Sequence, residues 1–329
     1  MSLFFRFGWE IIQQLYYFRR YVLPFLKEHL LQSDATFSEK YVRRMGYYAQ
    51  FVPAVSGANY AILLGRKMTH TERLAMTELA AAAPIFDDYF DEEDLNLKTL
   101  SNMIENPESF QAKNTLEKVL VQLLIRIKAK IPNFPFFMEV CQKVFAAQLA
   151  SKQQQQGNLS YEEIRKITYD KGGYSTLLFK SVMAHEPIQG EHEAIYHFGG
   201  LVQLVDDIFD VYEDTKNGIQ TLATKEKSIQ KVTQDFEADV MTLCKMFQAL
   251  SLRPAAVRQF LHLQLFFLTR TFVCLEQFEK LQAAAGGIFE PKNYPRKALI
   301  CDMETWENLR KWGSYFQKWR KMLRQSNHL

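Results

Sequence analysis

Two short acidic segments contain the residues best suited to chemistry in this 329-residue chain. Within residues 87–91 and again within 206–214, aspartates recur at steps of three and four, which places them on one face of a helix. Apolar residues flank both segments, so the carboxylates would repel one another beside an apolar wall unless a cation lay between them. The aspartates are Asp87, Asp88, Asp91, Asp206 (or its neighbour Asp207), Asp210 and Asp214.

A divalent metal ion is the cation that this pattern favours. Hard ions such as Mg²⁺ prefer carboxylate and water oxygens and often bind through the phosphates of a substrate. If the two acidic helices face each other across a cavity, they can hold such ions around a diphosphate ester. We therefore predict a site for hard divalent metal ions. Its predicted ligands are Asp87, Asp91, Asp206, Asp210 and Asp214.

A cationic group for the diphosphate is predicted at Lys171. The capping pattern Ser160-x-x-Glu163 starts a helix that reaches Lys171 and then meets Gly172-Gly173. A glycine pair weakens a helix, so we expect a break here that offers backbone groups and the lysine to an anion. A surface lysine at a helix break is the alternative, and the acidic segments favour the anion site over it.

These segments together resemble the class I isoprenoid synthases, a superfamily that holds trans-prenyltransferases, squalene and phytoene synthases and class I terpene cyclases. Residues 203–218 are similar to the second aspartate-rich motif of the trans-prenyltransferases, and residues 87–91 are similar to the first. Residues 169–175 resemble the segment in which those enzymes keep a diphosphate-binding lysine. The three matches span about residues 84 to 218 and occur in the expected order.

This resemblance implies an all-α fold around a central cavity, a linear prenyl diphosphate as substrate and three Mg²⁺ ions, with Mn²⁺ as an alternative ion. The ions would neutralise the leaving group while an apolar, aromatic pocket protects the allylic cation from water. The residues that it marks as catalytic are Asp87, Asp88, Asp91, Asp206, Asp210 and Lys171. The residues that it marks as diphosphate-binding are Lys171, Arg165, Lys216 and Gln203.

One departure from the chain-elongating prenyltransferases favours a terpene synthase. Those enzymes carry an Arg-Arg pair after the first motif, where this chain has residues 92–98 without arginine, and Gly65-Arg66-Lys67 matches their upstream site poorly. The second diphosphate site is therefore missing, as in a one-substrate lyase. Against this, residues 206–214 carry aspartates where terpene cyclases carry an Asn/Asp-Ser/Thr-Glu triad. An elongating prenyltransferase, a head-to-head synthase of the squalene type and a silent isoprenoid-binding subunit stay open.

Composition limits the remaining classes. A hydrophobic content of 47%, long helix-period segments and the absence of a linker predict one all-α domain over residues 1–329. A net charge of +3, with no basic-aromatic motif, argues against nucleic acid as a partner. No apolar run reaches membrane-spanning length, so no transmembrane segment is predicted.

Three further expectations concern location and association. The aromatic first helix is expected to pack on the core, with peripheral membrane contact kept as an alternative. Four scattered cysteines, with no metal-binding spacing, predict buried thiols in a reducing compartment and hence a cytoplasmic location. A homodimer stays open. The polar tract at residues 151–158 is expected to be a helix end and an exposed loop.

Overall fold

The structure is a computed structural model that describes residues 3–30, 35–91 and 97–325, without the side chains of residues 3, 4, 6, 7, 35–38, 91 and 97. Every regular element in these ranges is helical and none is a strand, so the predicted all-α class is confirmed. No helix there is long and apolar enough to cross a membrane.

Helix contacts divide the chain into two compact units. One comprises Met1–Phe145 with Leu177–Glu186, and the other comprises Ala146–Thr176 with Pro187–Leu329. The single domain stays a prediction, because two packing units occur both in one large domain and in two small ones.

The first unit contains eight α-helices among its described residues, the last of which continues into the second unit. Two π-helical turns, Phe18–Val22 and Pro53–Gly57, lie between them. The third helix ends immediately before Pro53, as the proline predicts. The helices are α1 Leu3–Tyr17, α2 Leu23–Leu30, α3 Ala35–Val52, α4 Ala58–Leu63, α5 His70–Asp91, α6 Leu97–Glu105, α7 Thr115–Lys128 and α8 Phe134–Ser151.

A buried glutamine on α1 joins three helices of the first unit. Gln14 Nε2 donates to the carbonyl oxygen of Ala49 on α3 (2.8 Å) and to Oγ1 of Thr77 on α5 (2.8 Å). Arg73 on α5 donates to Gln14 Oε1 (3.3 Å) and also pairs with Glu10 on α1. Because buried polar groups need partners, these bonds determine which face of α1 turns towards the unit.

A buried carboxylate similarly fixes α5 against α7. Glu78 is fully buried, and it accepts from Arg126 Nε (2.7 Å) and from Lys130 Nζ (2.9 Å). Removing one partner of a buried ion pair costs about 3–5 kcal/mol. The rotation of α5 about its own axis is therefore tied to these two cations.

The second unit contains the remaining α-helices of the described chain, with a short 3₁₀ turn at Pro291–Asn293. The Ser160–Glu163 capping pair forms as predicted, since the backbone N–H of Ser160 donates to the Glu163 carboxylate at 2.7 Å. The helices are α9 Gln153–Gln156, α10 Tyr161–Lys180, α11 Glu191–Phe209, α12 Val211–Lys216, α13 Leu222–Lys225, α14 Ile229–Ala249, α15 Pro254–Leu268, α16 Arg270–Ala284, α17 Arg296–Leu299 and α18 Trp306–Gln325.

The close approach of α10 and α11 is the packing feature that matters most for the site. A Cβ atom on Gly172 would lie 2.1 Å from the carbonyl oxygen of Gly199, and one on Gly199 would lie 2.3 Å from the carbonyl oxygen of Gly172. A Cβ atom on the neighbouring Gly173 or Gly200 would likewise lie 2.4 or 2.3 Å from a tyrosine ring. Only glycine lets the two backbones touch in this way.

The expected helix break at Gly172-Gly173 is therefore wrong. Helix α10 runs through both glycines to Lys180, and the Gly172 carbonyl accepts an additional bond from Thr176 Oγ1 (2.9 Å). A glycine costs a helix about 1 kcal/mol relative to alanine, which the close packing offsets. The pair consequently frees no backbone groups for an anion.

The prediction that the four cysteines are buried thiols is confirmed. Cys141, Cys244, Cys274 and Cys301 are all free and buried.

Candidate active site in the second unit

The second acidic segment lies where α11 passes into α12. Helix α11 ends at Phe209, and Asp210 occupies the junction with φ −93° and ψ 11°. The expected continuous helix is interrupted there, yet the backbone N–H of Asp210 still donates to the Asp206 carbonyl (2.9 Å) and that of Asp214 to the Asp210 carbonyl (2.8 Å). The i to i+4 spacing of the three aspartates is thus kept across the junction.

A polar cleft of about 170 Å³ collects these residues together with Lys171. All of its walls belong to the second unit. The structure therefore brings together the predicted lysine, the predicted glutamine and the whole second acidic segment. The lining residues are Gln154, Thr168, Lys171, Gln203, Asp206, Asp207, Asp210, Asp214, Ile219 and Thr221.

Asp207 forms the buried floor of the carboxylate group. Thr168 Oγ1 donates to one of its oxygens (2.9 Å) and Gln203 Nε2 donates to the other (2.9 Å). Burial raises the pKa of Asp207 to about 6, although both hydrogen bonds oppose the rise. Gln203, predicted to bind diphosphate, is in this structure a donor to a carboxylate that it orients.

Two carboxylates nearer the solvent, Asp210 and Asp214, also have raised pKa values. Burial raises the pKa of Asp214 to about 7, and repulsion from Asp207, Asp210 and Asp206 adds to the rise. The pKa of Asp210 is raised as well, by partial burial and by its acidic neighbours, although its side chain is exposed. The positive charge of Lys171 lowers the pKa of Asp207 and of Asp214, but by less than burial raises it.

The donor set fits ions that complete their shell with water and phosphate. Among the described residues, no three imidazole, thiol or carboxylate groups meet closely enough to hold an ion by themselves. The exposed oxygens of Asp206 and Asp210 and the half-buried Asp214 would each supply one or two ligands. Mg²⁺ commonly binds in this way, retaining several waters and taking the remaining oxygens from a substrate.

Of the three cations predicted to bind diphosphate, only Lys171 lines the cleft. Lys216 is exposed at the end of α12 and does not line it. Arg165 binds both carboxylate oxygens of Asp239 (2.6 and 2.8 Å), and its guanidinium stacks 4.8 Å from the ring centre of Tyr169. Both bonds come from one guanidinium nitrogen, Nη2, and this half-buried ion pair commits the Arg165 head group to α14.

The first acidic segment belongs to the other unit. Asp87 lies half-buried near the end of α5, and Asp88 is held to α3 by the hydroxyl of Tyr41 (2.6 Å) and by Arg44. The side chain of Asp91 lies outside the described residues, as does the acidic stretch that follows it. The arrangement of both segments around one cavity stays a prediction.

The motifs do not anticipate four residues of the cleft, which are Gln154, Thr168, Ile219 and Thr221. Thr168 lies three positions before Lys171, which places both on one face of α10, and this spacing could have identified it. Gln154 is buried, whereas the tract that contains it was expected to be an exposed loop, so that expectation is wrong at this residue. It is held by Gln220, whose backbone N–H donates to the Gln154 carbonyl (2.9 Å) and whose carbonyl accepts from Gln154 Nε2 (2.9 Å).

No protein-family model matches this chain, and no curated protein matches it significantly. The resemblance to isoprenoid synthases therefore depends on the sequence motifs alone.

Proposed function

We propose that this protein is a Mg²⁺-dependent class I terpene synthase that ionises a linear allylic prenyl diphosphate and releases diphosphate. The observation that carries the proposal is the polar cleft in which Lys171 stands with Asp206, Asp210 and Asp214. A cation beside under-neutralised carboxylates suits a ligand that brings both metal ions and phosphate oxygens.

Each residue has a defined task in this proposal. Asp206, Asp210 and Asp214 hold the metal ions, while Asp207, fixed by its two hydrogen bonds, keeps the end of α11 in position. Lys171 binds an oxygen of the diphosphate as negative charge develops on it. When bound, the ions supply Lewis-acid stabilisation of the leaving diphosphate. No side-chain nucleophile is required, because the bond that breaks yields a stabilised allylic cation.

A chain-elongating trans-prenyltransferase is the second candidate, because the second segment is acidic at all three positions 206, 210 and 214. The missing arginine pair after residue 91 argues against it. Moreover, Arg66, in the poor match to the upstream diphosphate site, is bound to the Glu72 carboxylate at 2.6 and 2.8 Å.

Product identity separates these candidates. The purified protein is incubated with Mg²⁺ and with geranyl, farnesyl or geranylgeranyl diphosphate, each with and without isopentenyl diphosphate, and products are identified by mass. Hydrocarbon or alcohol from one allylic diphosphate alone supports the terpene synthase. Longer diphosphates that require isopentenyl diphosphate support the elongating enzyme, and coupled hydrocarbons support the head-to-head reaction. No turnover with any substrate contradicts all three.

Variants test the metal assignment. Asp206→Ala and Asp87→Ala should each lower Mg²⁺-dependent diphosphate release at least 100-fold, the order of loss for a group that stabilises the leaving charge. Asp302→Ala, at an exposed aspartate outside the cleft, is the matched control. Full activity in the Asp206 variant, with a native circular dichroism spectrum, would refute the assignment.

A further inference from the structure

Helix α1 presents an exposed stripe of large apolar side chains. Phe5, Trp9, Ile12 and Tyr16 are 75%, 54%, 57% and 59% exposed. They follow one another at steps of four, three and four residues, so they lie along one face of the helix. Single exposed apolar residues are common, whereas a continuous row that is mostly aromatic marks a surface that something covers.

The stripe lies opposite the face that α1 turns towards its own unit. Gln14, fully buried, bonds to α3 and α5. At 100° per residue, Phe5 and Tyr16 point about 180° and 200° away from Gln14. The stripe therefore lies on the side of α1 away from these buried bonds, and its side chains are more than half exposed.

Positive charge borders the stripe. Arg19 and Arg20, both exposed, follow Tyr16 in the next turn. A cleft of about 460 Å³ beside Trp9, Ile12 and Tyr16 also contains the exposed Lys67. The only acidic residue between positions 3 and 20 is Glu10, whose charge is compensated by Arg73.

We infer that this stripe docks on the surface of an anionic lipid bilayer, whatever reaction the protein catalyses. Amphipathic helices with aromatic residues on one side and basic residues at its edge insert their apolar face at the boundary between headgroups and acyl chains. A second copy of the chain fits less well. The four side chains expose roughly 450 Å², at about 200 Å² for each aromatic residue, whereas a stable protein interface buries about 800 Å² per partner.

Co-sedimentation with vesicles tests the inference. The protein is mixed with vesicles of phosphatidylcholine alone or of phosphatidylcholine with phosphatidylglycerol, and the bound fraction is measured. We expect binding to the anionic vesicles, weakened about tenfold or more by Trp9→Ala, because one buried aromatic side chain is worth at least that factor. Trp306→Ala is the matched control, since Trp306 is 82% exposed on α18 and lies off the stripe. It should bind as the unchanged protein does.

The charge contribution is tested separately. Arg19→Gln with Arg20→Gln should weaken binding to the anionic vesicles, and added salt should reduce the difference. Arg310→Gln, at an exposed arginine of α18, should have no effect. Absence of vesicle binding overturns the inference, as does equal loss in the Trp9 and Trp306 variants. A dimer in solution that Trp9→Ala dissociates, without vesicle binding, assigns the stripe to a second copy instead.

Discussion

Replacement of Gly199 by alanine tests how the two site-bearing helices are held together. The new Cβ would lie 2.3 Å from the carbonyl oxygen of Gly172 and 2.5 Å from Oγ1 of Thr176. Ordinary contacts begin near 3.4 Å, so α10 and α11 must separate by about 1 Å. Lys171 is adjacent to Gly172 and moves with it, away from the aspartates of α11.

The expected cost follows from two opposing effects. Alanine gains about 1 kcal/mol over glycine in a helix interior, whereas forcing an extra carbon into a packed contact costs about 1–3 kcal/mol or more. The separation also loosens the neighbouring contacts of Gly173 and Gly200 with tyrosine rings, and a gap of 0.5–1 Å loses about a quarter to a half of a contact's attraction. We expect a net loss of about 1–3 kcal/mol.

Gly313→Ala supplies the matched control. Gly313 also lies inside a helix, α18, but nothing stands within 4 Å of its Cβ position, so this variant should gain about 1 kcal/mol. Thermal unfolding followed by circular dichroism measures both variants, and their melting temperatures should differ by roughly 3–6 °C, because a chain of 329 residues shifts by about 1.4 °C per kcal/mol. Equal stabilisation by the two substitutions would refute the reasoning, because it would mean that α10 and α11 do not touch at these glycines.

Three other outcomes follow from the charges. Because the pKa of Asp214 is raised from 3.8 to about 7, the folded protein keeps a proton that the unfolded chain loses, so metal-free stability should fall as the pH rises through this range. Asp214→Asn should flatten that fall in melting curves recorded with chelator. Mg²⁺ should raise the melting temperature of the unchanged protein and of Asp302→Asn, but not of Asp206→Asn. Lys171→Gln should weaken calorimetric binding of pyrophosphate with Mg²⁺ at least tenfold at nearly constant stability. Arg165→Gln should instead cost about 3 kcal/mol of stability, since it leaves the buried Asp239 carboxylate without its cation and with the Tyr169 hydroxyl as its remaining side-chain donor within hydrogen-bonding range.

The sequence predicts those parts of the site that depend on local spacing. Steps of four residues put Asp206, Asp210 and Asp214 along one side, and this survives the junction at Asp210 because the backbone bonds across it persist. The all-α class is predictable for the same reason, since helical periodicity can be recognised in short segments of sequence. Lys171 is identified by its neighbours along the chain.

Features that depend on distant partners are not predictable in this way. Arg165 looks available for a ligand until Asp239, 74 residues later, is seen to bind it. Gln154 lies in a polar tract and becomes buried only through Gln220, 66 residues away. From its local sequence, Gly172 predicts a break in the helix. Its actual role, close packing against Gly199, depends on a residue 27 positions later.

The buried group of Glu78, Arg126 and Lys130 has a consequence for Asp87 in the first acidic segment. Asp87 follows Glu78 by nine residues, two and a half turns, so at 100° per residue the two carboxylates point in opposite directions from α5. By fixing the rotation of α5, Arg126 and Lys130 also determine the direction in which Asp87 points. Loss of the charge at Glu78 would allow α5 to rotate about its axis. The Asp87 carboxylate would then change direction although Asp87 itself is unchanged.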